Sequence, residues 1–192
     1  MDRKVTGKAI VKVGNWTEKL SAPAAEEPPV TKAESPVGIT KPWVIQFKDI
    51  KKYIGKSLPV SDWFAVTQEM INDFAKATHD YQWIHVDVDK AKEYMPEGKT
   101  IAHGYLTLSL ASKFFFELLA IEGVTTSINY GLNKARFPVA VKSGSQIRMS
   151  GRIMNVEDMP QGGGVKLFLE CKIEVQGEEK PAYVGELITA LF

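Results

Sequence analysis

An acid and an imidazole lie close together in the segment ATHDYQWIHVDVDK, residues 77–90. Asp80 and His85 are five residues apart and enclose the apolar pair Trp83 and Ile84. A carboxylate and an imidazole are side chains that commonly transfer protons in enzymes. Five residues would place the two side chains about 140° apart on a helix and on opposite faces of a strand. We therefore expect them to cooperate only if the segment is an irregular loop.

Three interpretations of this pair remain open from the spacing alone. The two groups could be the polar ends of a buried turn, they could share a metal ion with His79 and His103, or they could be a catalytic acid–base pair. The chain has three histidines, and none of them shows the i,i+4 spacing that is typical of helical metal sites. We therefore predict no metal site.

A glycine stands at the head of the most apolar segment of the chain. In KTIAHGYLTLS, residues 99–109, Gly104 begins a run that we predict to be a helix over about 104–121. A helix N-terminus presents free N–H groups and a positive dipole end, and a glycine lets a ligand approach them. This position suits an oxygen that becomes negative in a transition state. Alternatively, Gly104 only relieves crowding, and we interpret His103 as a capping or packing residue.

The elements around this segment divide the chain into an arm, a linker and one folded unit. Residues 1–20 form the arm, in which KAIVKV could be a short strand. Residues 21–42 are rich in proline, alanine and glutamate, which predicts a linker that cannot bury enough apolar surface to fold. The folded unit is predicted over residues 43–192.

Helical spacing of apolar residues predicts four helices in the first part of this unit. The segments are 47–56, about 68–79, 87–95 and the apolar helix from about 104, with a short strand at 62–68 and Thr67 as an N-cap.

Apolar and polar residues then alternate along four segments, which predicts strands. The segments are 125–137, 145–159, 164–177 and 182–192, joined by short turns, so we predict an antiparallel meander. A helix that is apolar on nearly every side needs cover over most of its circumference. The predicted fold class is therefore α+β, with the sheet curled around the long helix.

Composition and charge exclude several other classes of protein. The 192 residues carry a formal net charge of +1, which gives no indication of a nucleic-acid partner. The single cysteine, Cys171, fits a reducing compartment. The start of the chain has no apolar core of signal-peptide length. The run 105–121 is short for a membrane span and contains Lys113 and Glu117. We expect a soluble, cytoplasmic protein without membrane contact.

The segment FAKATHDYQWIHVDVDKAKEYMPEGKTIAHGYLTLSL is similar to the signature of the MaoC-like (R)-specific enoyl-CoA hydratases. In that family the pattern D-x-N-P-x-H is followed by HG at the head of the central helix. Asp80 and His85 match the pattern, while Gln82 and Trp83 replace Asn-Pro. The QWIH variant and INYGLNKARFPVAV, 128–141, resemble the nodulation-protein-N-like subgroup. The resemblance covers roughly residues 45–192.

The resemblance implies a hot-dog fold, a curved five-stranded antiparallel sheet around a central helix, and a reaction. The reaction is the reversible addition of water to a trans-2-enoyl-CoA, giving the (R)-3-hydroxyacyl-CoA, with no cofactor. Asp80 and His85 would hold the water and transfer protons, and either could be the base. The Gly104 N–H would bind the thioester oxygen, and Gln82, Tyr105 and Ser109 are candidate substrate contacts. The family also implies a homodimer.

The roles of several other polar residues remain open. Ser109 or Ser112 could bond the Asp80 loop, or could face solvent or bond back to the helix. Asn129, Tyr130, Asn133 and Arg136 could reach the site or simply form the exposed face of a strand. The phosphates of CoA need Lys or Arg, and Lys134, Arg136 and Lys142 are available.

Two other functions compete with the hydratase. A hot-dog thioesterase would need a carboxylate aimed at water beside the thioester, and the apolar helix offers only Glu117. A non-catalytic acyl-binding module would have no need of the Asp80 and His85 pair.

Overall fold

The computed structural model describes residues 41–160 and 163–192. The predicted arm with its strand KAIVKV, and residues 21–40 of the predicted linker, lie outside the described residues. The first described element is the strand β1, Trp43–Gln46.

Within the described residues, seven strands form two sheets. The large sheet contains β2 (Phe64–Ala65), β4 (Ser127–Arg136), β5 (Gln146–Asp158), β6 (Val165–Val175) and β7 (Tyr183–Leu191). Its order is β2-β5-β6-β7-β4, and all four pairings are antiparallel. The small sheet pairs β1 with β3 (Leu119–Glu122) in parallel.

In the part of the chain that the structure describes, four α-helices follow β2 and precede β3. They are α1 (Gln68–Thr78), α2 (Trp83–Val86), α3 (Val88–Tyr94) and α4 (Gly104–Leu118), with 3-10 helices at Phe47–Tyr53 and Pro96–Gly98. The predicted N-cap of α1 is confirmed, since the Thr67 hydroxyl accepts from the backbone N–H of Met70 at 3.2 Å.

The core lies between α4 and the inner face of the large sheet. Strand β6 buries every second residue, and β5, β6 and β7 all contact α4. Phe114 and Leu118 of the helix are completely buried against them. Burial of such side chains is the main favourable term in folding. The predicted α+β fold, with a five-stranded sheet around the long helix, is confirmed.

The predicted antiparallel meander is wrong in one strand pairing, that of β4. Strands β5, β6 and β7 follow one another in the sheet, but β4 pairs with β7 rather than with β5. The segment 137–145 is therefore a crossover between the two sides of the sheet, where the sequence had suggested a turn. It pairs with the chain just before α4, because the N–H of Ala102 donates to the Val141 carbonyl at 2.7 Å.

Three element boundaries also differ from the predictions. The long helix ends at Leu118, because Leu119 has extended dihedrals and residues 119–122 pair with β1 instead. The helix predicted at 47–56 is a shorter 3-10 helix, followed by Gly55 in a left-handed conformation at φ 81°. The strand predicted at 62–68 contains only two paired residues.

Candidate active site

A sharp turn after α1 places Asp80 at the edge of the candidate site. The preceding residue, His79, has left-handed dihedrals (φ 60°, ψ 21°), a conformation that ends the helix and in which histidine is enriched. The Asp80 side chain is 54% exposed. Its Oδ1 accepts one long hydrogen bond, 3.4 Å, from the backbone N–H of Gln82. The carboxylate is therefore accessible and only loosely held by its own bonds.

His85 lies in a single helical turn rather than in an irregular loop, which corrects the prediction for this segment. α2 begins after Gln82, and the His85 side chain is buried. Its Nδ1 lies 2.7 Å from the carbonyl oxygen of Ile101. Since a carbonyl can only accept, Nδ1 carries the proton and Nε2 of the neutral ring keeps a lone pair. Asp80 lies before α2 and outside it. The 140° separation expected on one continuous helix therefore does not apply, and the two side chains can face each other.

The backbone of His85 is held from two sides. The amide of Gln68, the first residue of α1, donates to the His85 carbonyl at 2.8 Å. The buried hydroxyl of Thr100 donates to the Oε1 of the same Gln68. The N–H of Ile101 also donates to the carbonyl of Ile84 at 3.0 Å. These bonds join α1, α2 and the segment before α4 into one support for the imidazole.

A second imidazole completes the cluster. His103 is 3% exposed, and its ring stacks on the ring of His85 with 3.8 Å between centroids. Its Nε2 lies 3.0 Å from the backbone carbonyl oxygen of Asp80. It makes no side-chain capping bond at the start of α4. The capping interpretation of His103 is therefore wrong, while the packing interpretation agrees with the structure.

Gly104 begins α4 and packs against an aromatic ring. A Cβ atom at this position would lie 3.3–3.4 Å from three ring carbons of Phe137. The glycine therefore makes room for Phe137, as well as removing a side chain from the helix start. Tyr105, the next residue, is 70% exposed and meets Phe137 edge to face, with 6.1 Å between centroids. The first N–H groups of α4 lie beside this aromatic pair, without a side-chain cap.

Asp80, His85 and His103 each offer a potential metal-ligand atom, and these atoms lie within 4.8 Å of one another. A bound metal lies about 2 Å from each ligating imidazole nitrogen, in the plane of the ring. The two rings are stacked with only 26° between their planes, so their lone pairs do not converge on one ion. His79 does not belong to this cluster. The geometry favours proton transfer over metal binding.

The other predicted substrate contacts are Gln82, Tyr105 and Ser109, with Ser112 as an alternative to Ser109. Gln82 and Tyr105 flank the Asp80 and Gly104 positions. The hydroxyl of Ser109 donates to the Tyr105 carbonyl at 2.8 Å, so the back-bonding alternative describes this serine. Ser112 accepts from the side chain of Asn129 at 3.4 Å.

The candidate phosphate-binding and strand residues are mostly engaged elsewhere. The Lys142 ammonium pairs with Glu97 at 2.6 Å and Glu178 at 3.3 Å, and Asn133 donates to Glu186. Arg136 donates to the adjacent Ala135 carbonyl. Lys134 is exposed in a left-handed conformation at φ 55°.

Sequence reasoning missed two supporting residues. Gln68 and Phe137 carried no signal, because their roles depend on contacts with segments far away in the chain. His103 was seen but assigned to packing or capping. Its position directly before Gly104 could have raised its priority, since a buried histidine needs polar partners.

Comparison with known proteins identifies the class. Residues 49–167 match the model of the MaoC like domain. A 3-hydroxyacyl-thioester dehydratase Z of Mycobacterium tuberculosis is 44% identical over 140 residues, which is 73% of this chain and 91% of the relative. Nodulation protein N of Rhizobium leguminosarum bv. viciae is 39% identical over 149 residues, 77% of this chain and 91% of the relative.

A solved structure agrees in fold. An (R)-hydratase from A. caviae involved in PHA biosynthesis superposes with a TM-score of 0.56 at 23% identity, covering 71% of this chain and 94% of that one. The α+β architecture is thus a hot-dog fold. The chain belongs to the MaoC-like dehydratase family, and the protein is a hydro-lyase. Within the described residues, no helix has the length and apolarity needed to cross a membrane.

Proposed function

We propose that the protein catalyses the reversible, (R)-specific hydration of a trans-2-enoyl-CoA to the (R)-3-hydroxyacyl-CoA. The observation that carries this proposal is the spacing of the acid and the imidazole. A carboxylate oxygen of Asp80 and a ring nitrogen of His85 lie within 4.8 Å of each other, a gap that one water can bridge. The 3-hydroxyacyl-thioester named for the mycobacterial relative is the product of this hydration.

The chemistry needs only proton transfers at the two side chains and no cofactor. In the hydration direction the water bound between Asp80 and His85 loses a proton to the pair, and its oxygen forms a bond to C3 of the enoyl group. The electron pair of the double bond moves onto the thioester as an enolate. The pair then returns one proton to Cα, so it ends in its starting state. The His85 Nε2 lone pair and the Asp80 carboxylate are the two acceptors available.

The N-terminus of α4 supplies the electrostatic part of this proposal. The enolate oxygen would accept a hydrogen bond from the Gly104 N–H, at the positive end of the helix dipole. The absence of a side-chain cap at this terminus in the described structure leaves that N–H available. Loss of such a donor typically costs about 3 kcal/mol of transition-state stabilisation at comparable sites.

We propose further that the protein acts as a homodimer in the cytoplasm. Strand β4 is an edge of the large sheet, and its exposed apolar side chains Ile128, Tyr130 and Leu132 would be covered by a second copy. Phe116 of α4 is also exposed. A concentration-independent monomer in sedimentation experiments would contradict the dimer.

The competing thioesterase has less support. Glu117, the only carboxylate of α4, lies thirteen residues after Gly104, which is about 20 Å along a helix. It also forms an ion pair with Lys113. Neither feature suits a carboxylate that must activate water beside the thioester.

One assay separates the hydratase from both alternatives. The purified protein is mixed with crotonyl-CoA, and the enoyl absorbance and free thiol are followed together. Loss of absorbance without thiol, with the (R)-3-hydroxybutyryl product resolved by chiral analysis, is the expected result. Thiol release would instead indicate a thioesterase. Neither change, with crotonyl-CoA and also with longer enoyl-CoA substrates, would indicate a binding module.

A further inference from the structure

We propose that His103 is a positioning residue that holds Asp80 and His85 in their reactive arrangement. This inference rests on the proposed hydratase function and adds a third side chain to it. His103 contacts the backbone of one catalytic residue and the ring of the other, so its loss should disturb both.

The first contact fixes Asp80. The Asp80 side chain is half exposed and has a single 3.4 Å hydrogen bond of its own. In contrast, the Asp80 carbonyl accepts from the buried His103 Nε2 at 3.0 Å. This bond comes directly after the left-handed turn at His79. The same Nε2 also lies 3.9 Å from Oδ2 of the Asp80 carboxylate, beyond hydrogen-bond distance. His103 therefore holds Asp80 mainly through its backbone carbonyl.

The second contact fixes the plane of His85. The two imidazoles stack at 3.8 Å, and Phe74 packs against His103 with 5.1 Å between centroids. The Ile101 carbonyl fixes one edge of the His85 ring, and the stacked His103 prevents the ring from tilting about that bond. Together these contacts determine where the His85 Nε2 points.

The unpartnered nitrogen of His103 argues against a role in packing alone. Because the Asp80 carbonyl only accepts, His103 Nε2 carries the proton and Nδ1 is left as an acceptor. Nδ1 is buried and has no hydrogen-bond partner among the described residues. An unsatisfied buried polar atom lowers stability, and a phenyl ring would fill the same space without this cost. The imidazole is therefore best explained by the bond that its other nitrogen makes to Asp80.

Two variants separate the hydrogen bond from the stacked ring. His103→Phe keeps a flat ring but loses the donor, whereas His103→Gln keeps an N–H donor the same number of bonds from Cβ but loses the ring. We expect His103→Phe to lower kcat for crotonyl-CoA about 100-fold, the cost of a misplacement of about 1 Å, with KM changed less than about twofold. His103→Gln should recover at least tenfold of that loss.

A purely structural histidine would give a different pattern. Both variants would then lower the melting temperature, and the folded fraction would keep the kcat of the unmodified protein. That result, measured with the folded fraction determined by circular dichroism, would overturn the proposal.

A second readout decides the matter independently of activity. The chain has only three histidines, so their ring tautomers can be assigned by nitrogen-15 NMR. We expect the Nε2–H tautomer for His103 and the Nδ1–H tautomer for His85. The backbone amide signals of Asp80 and Gln82 should shift in His103→Phe and return towards their original positions in His103→Gln. An Nδ1–H tautomer for His103, or unchanged amide signals in His103→Phe, would overturn the proposal even if the enzyme hydrates crotonyl-CoA.

The failure of this proposal and that of the proposed function can be told apart. If the unmodified protein hydrates no enoyl-CoA, the proposed function is wrong, while these spectra still decide whether His103 positions Asp80 and His85.

Discussion

The large sheet and the site segment, residues 79–104, are stabilised in different ways. The sheet is held by regular pairing and by alternate apolar residues that face α4, as in β6. The site segment contains short helices, turns, an isolated β-bridge at Ile101 and the first residue of α4. Its buried groups include polar side chains, namely His85, Thr100 and His103, and each is engaged with a distant part of the chain.

Under the proposed function, this difference separates the residues that determine stability from those that determine activity. Apolar burial in the sheet is not directional, so one missing methyl group costs stability without moving the reactive groups. Hydrogen bonds in the site segment are directional, and one lost bond can displace a reactive atom by a distance that matters for catalysis. Substitutions in the two regions should therefore affect different measurements.

The largest expected effect is on activity, from substitutions of the proposed catalytic pair, Asp80 and His85. Asp80→Asn and His85→Gln should each lower kcat for hydration of crotonyl-CoA about 1000-fold, within the range for loss of a general acid–base group. The melting temperature should change little in Asp80→Asn, because this side chain is half exposed. His79→Asn is the matched control, since His79 is adjacent and exposed, and asparagine tolerates its left-handed backbone. Full activity in either test variant would contradict the assigned roles.

The next effect is on stability, in the sheet. Ile173 of β6 is fully buried between Met149 and Tyr183 of the neighbouring strands. Ile173→Ala should lower the free energy of unfolding by about 2–5 kcal/mol, as truncated core side chains do. The kcat of the remaining folded protein should stay within about twofold, because Ile173 makes none of the hydrogen bonds that hold Asp80, His85 and His103. The ring of its strand neighbour Tyr183 does pack on Phe137, with 5.6 Å between centroids, which is the route by which a change could reach Gly104. Glu170→Ala, an exposed position on the same strand, should leave both quantities nearly unchanged. A large fall in kcat for Ile173→Ala would show that the two regions are coupled.

A smaller effect should appear in the sheet at alkaline pH. Burial raises the pKa of the Cys171 thiol from 9.0 to about 12, and burial also raises the pKa of Tyr183. Between pH 9 and 12 the unfolded chain has lost the thiol proton that the folded protein still holds. The buried thiol therefore makes its full contribution to the free energy of unfolding below pH 9. Between pH 9 and 12 the free energy of unfolding falls by about 1.4 kcal/mol per pH unit for one such group. Urea titrations at pH 8, 9, 10 and 11 measure this slope. Cys171→Ala should show a shallower slope, and equal slopes would contradict the assignment.

The sequence predicts the two regions unequally, and the reason is physical. Alternation along LFLECKIEV predicts both the strand and its buried face, because the period of two follows from strand geometry. The same rule says nothing about which strand is the neighbour, and β4 was accordingly placed beside β5 instead of β7.

In the site, residue types and the family motif predict Asp80 and His85, which the structure brings together. They do not predict the one-turn helix at Trp83–Val86, whose supports include the bond from Gln68, fifteen residues before Trp83. Nor do they predict that Phe137 packs on Gly104, because that contact arises only from the crossover between β4 and β5. Long-range polar bonds and crossovers have no local period, so they become visible only in the folded chain.

The smallest expected effect joins the two regions, at Gly104. The crossover that begins after β4 brings Phe137 to the start of α4, so the proposed oxyanion position at Gly104 is shaped by the sheet as well as by the helix. Gly104→Ala adds a Cβ atom 3.3 Å from the Phe137 ring, closer than most real Cβ contacts, while leaving the backbone N–H in place. We expect kcat to fall about tenfold, a change of 1.4 kcal/mol in the barrier, as the helix start shifts to relieve this contact.

The double variant Gly104→Ala with Phe137→Leu identifies the cause. Leucine removes the flat ring that the new methyl group meets, so the double variant should recover most of the lost kcat, with Phe137→Leu alone as the matched control. If the crowding were instead between the new methyl group and the substrate, KM would rise in Gly104→Ala and the second substitution would not restore it. Recovery of kcat would show that the sheet positions the proposed oxyanion donor through Phe137. At this contact the sheet would then affect activity as well as stability.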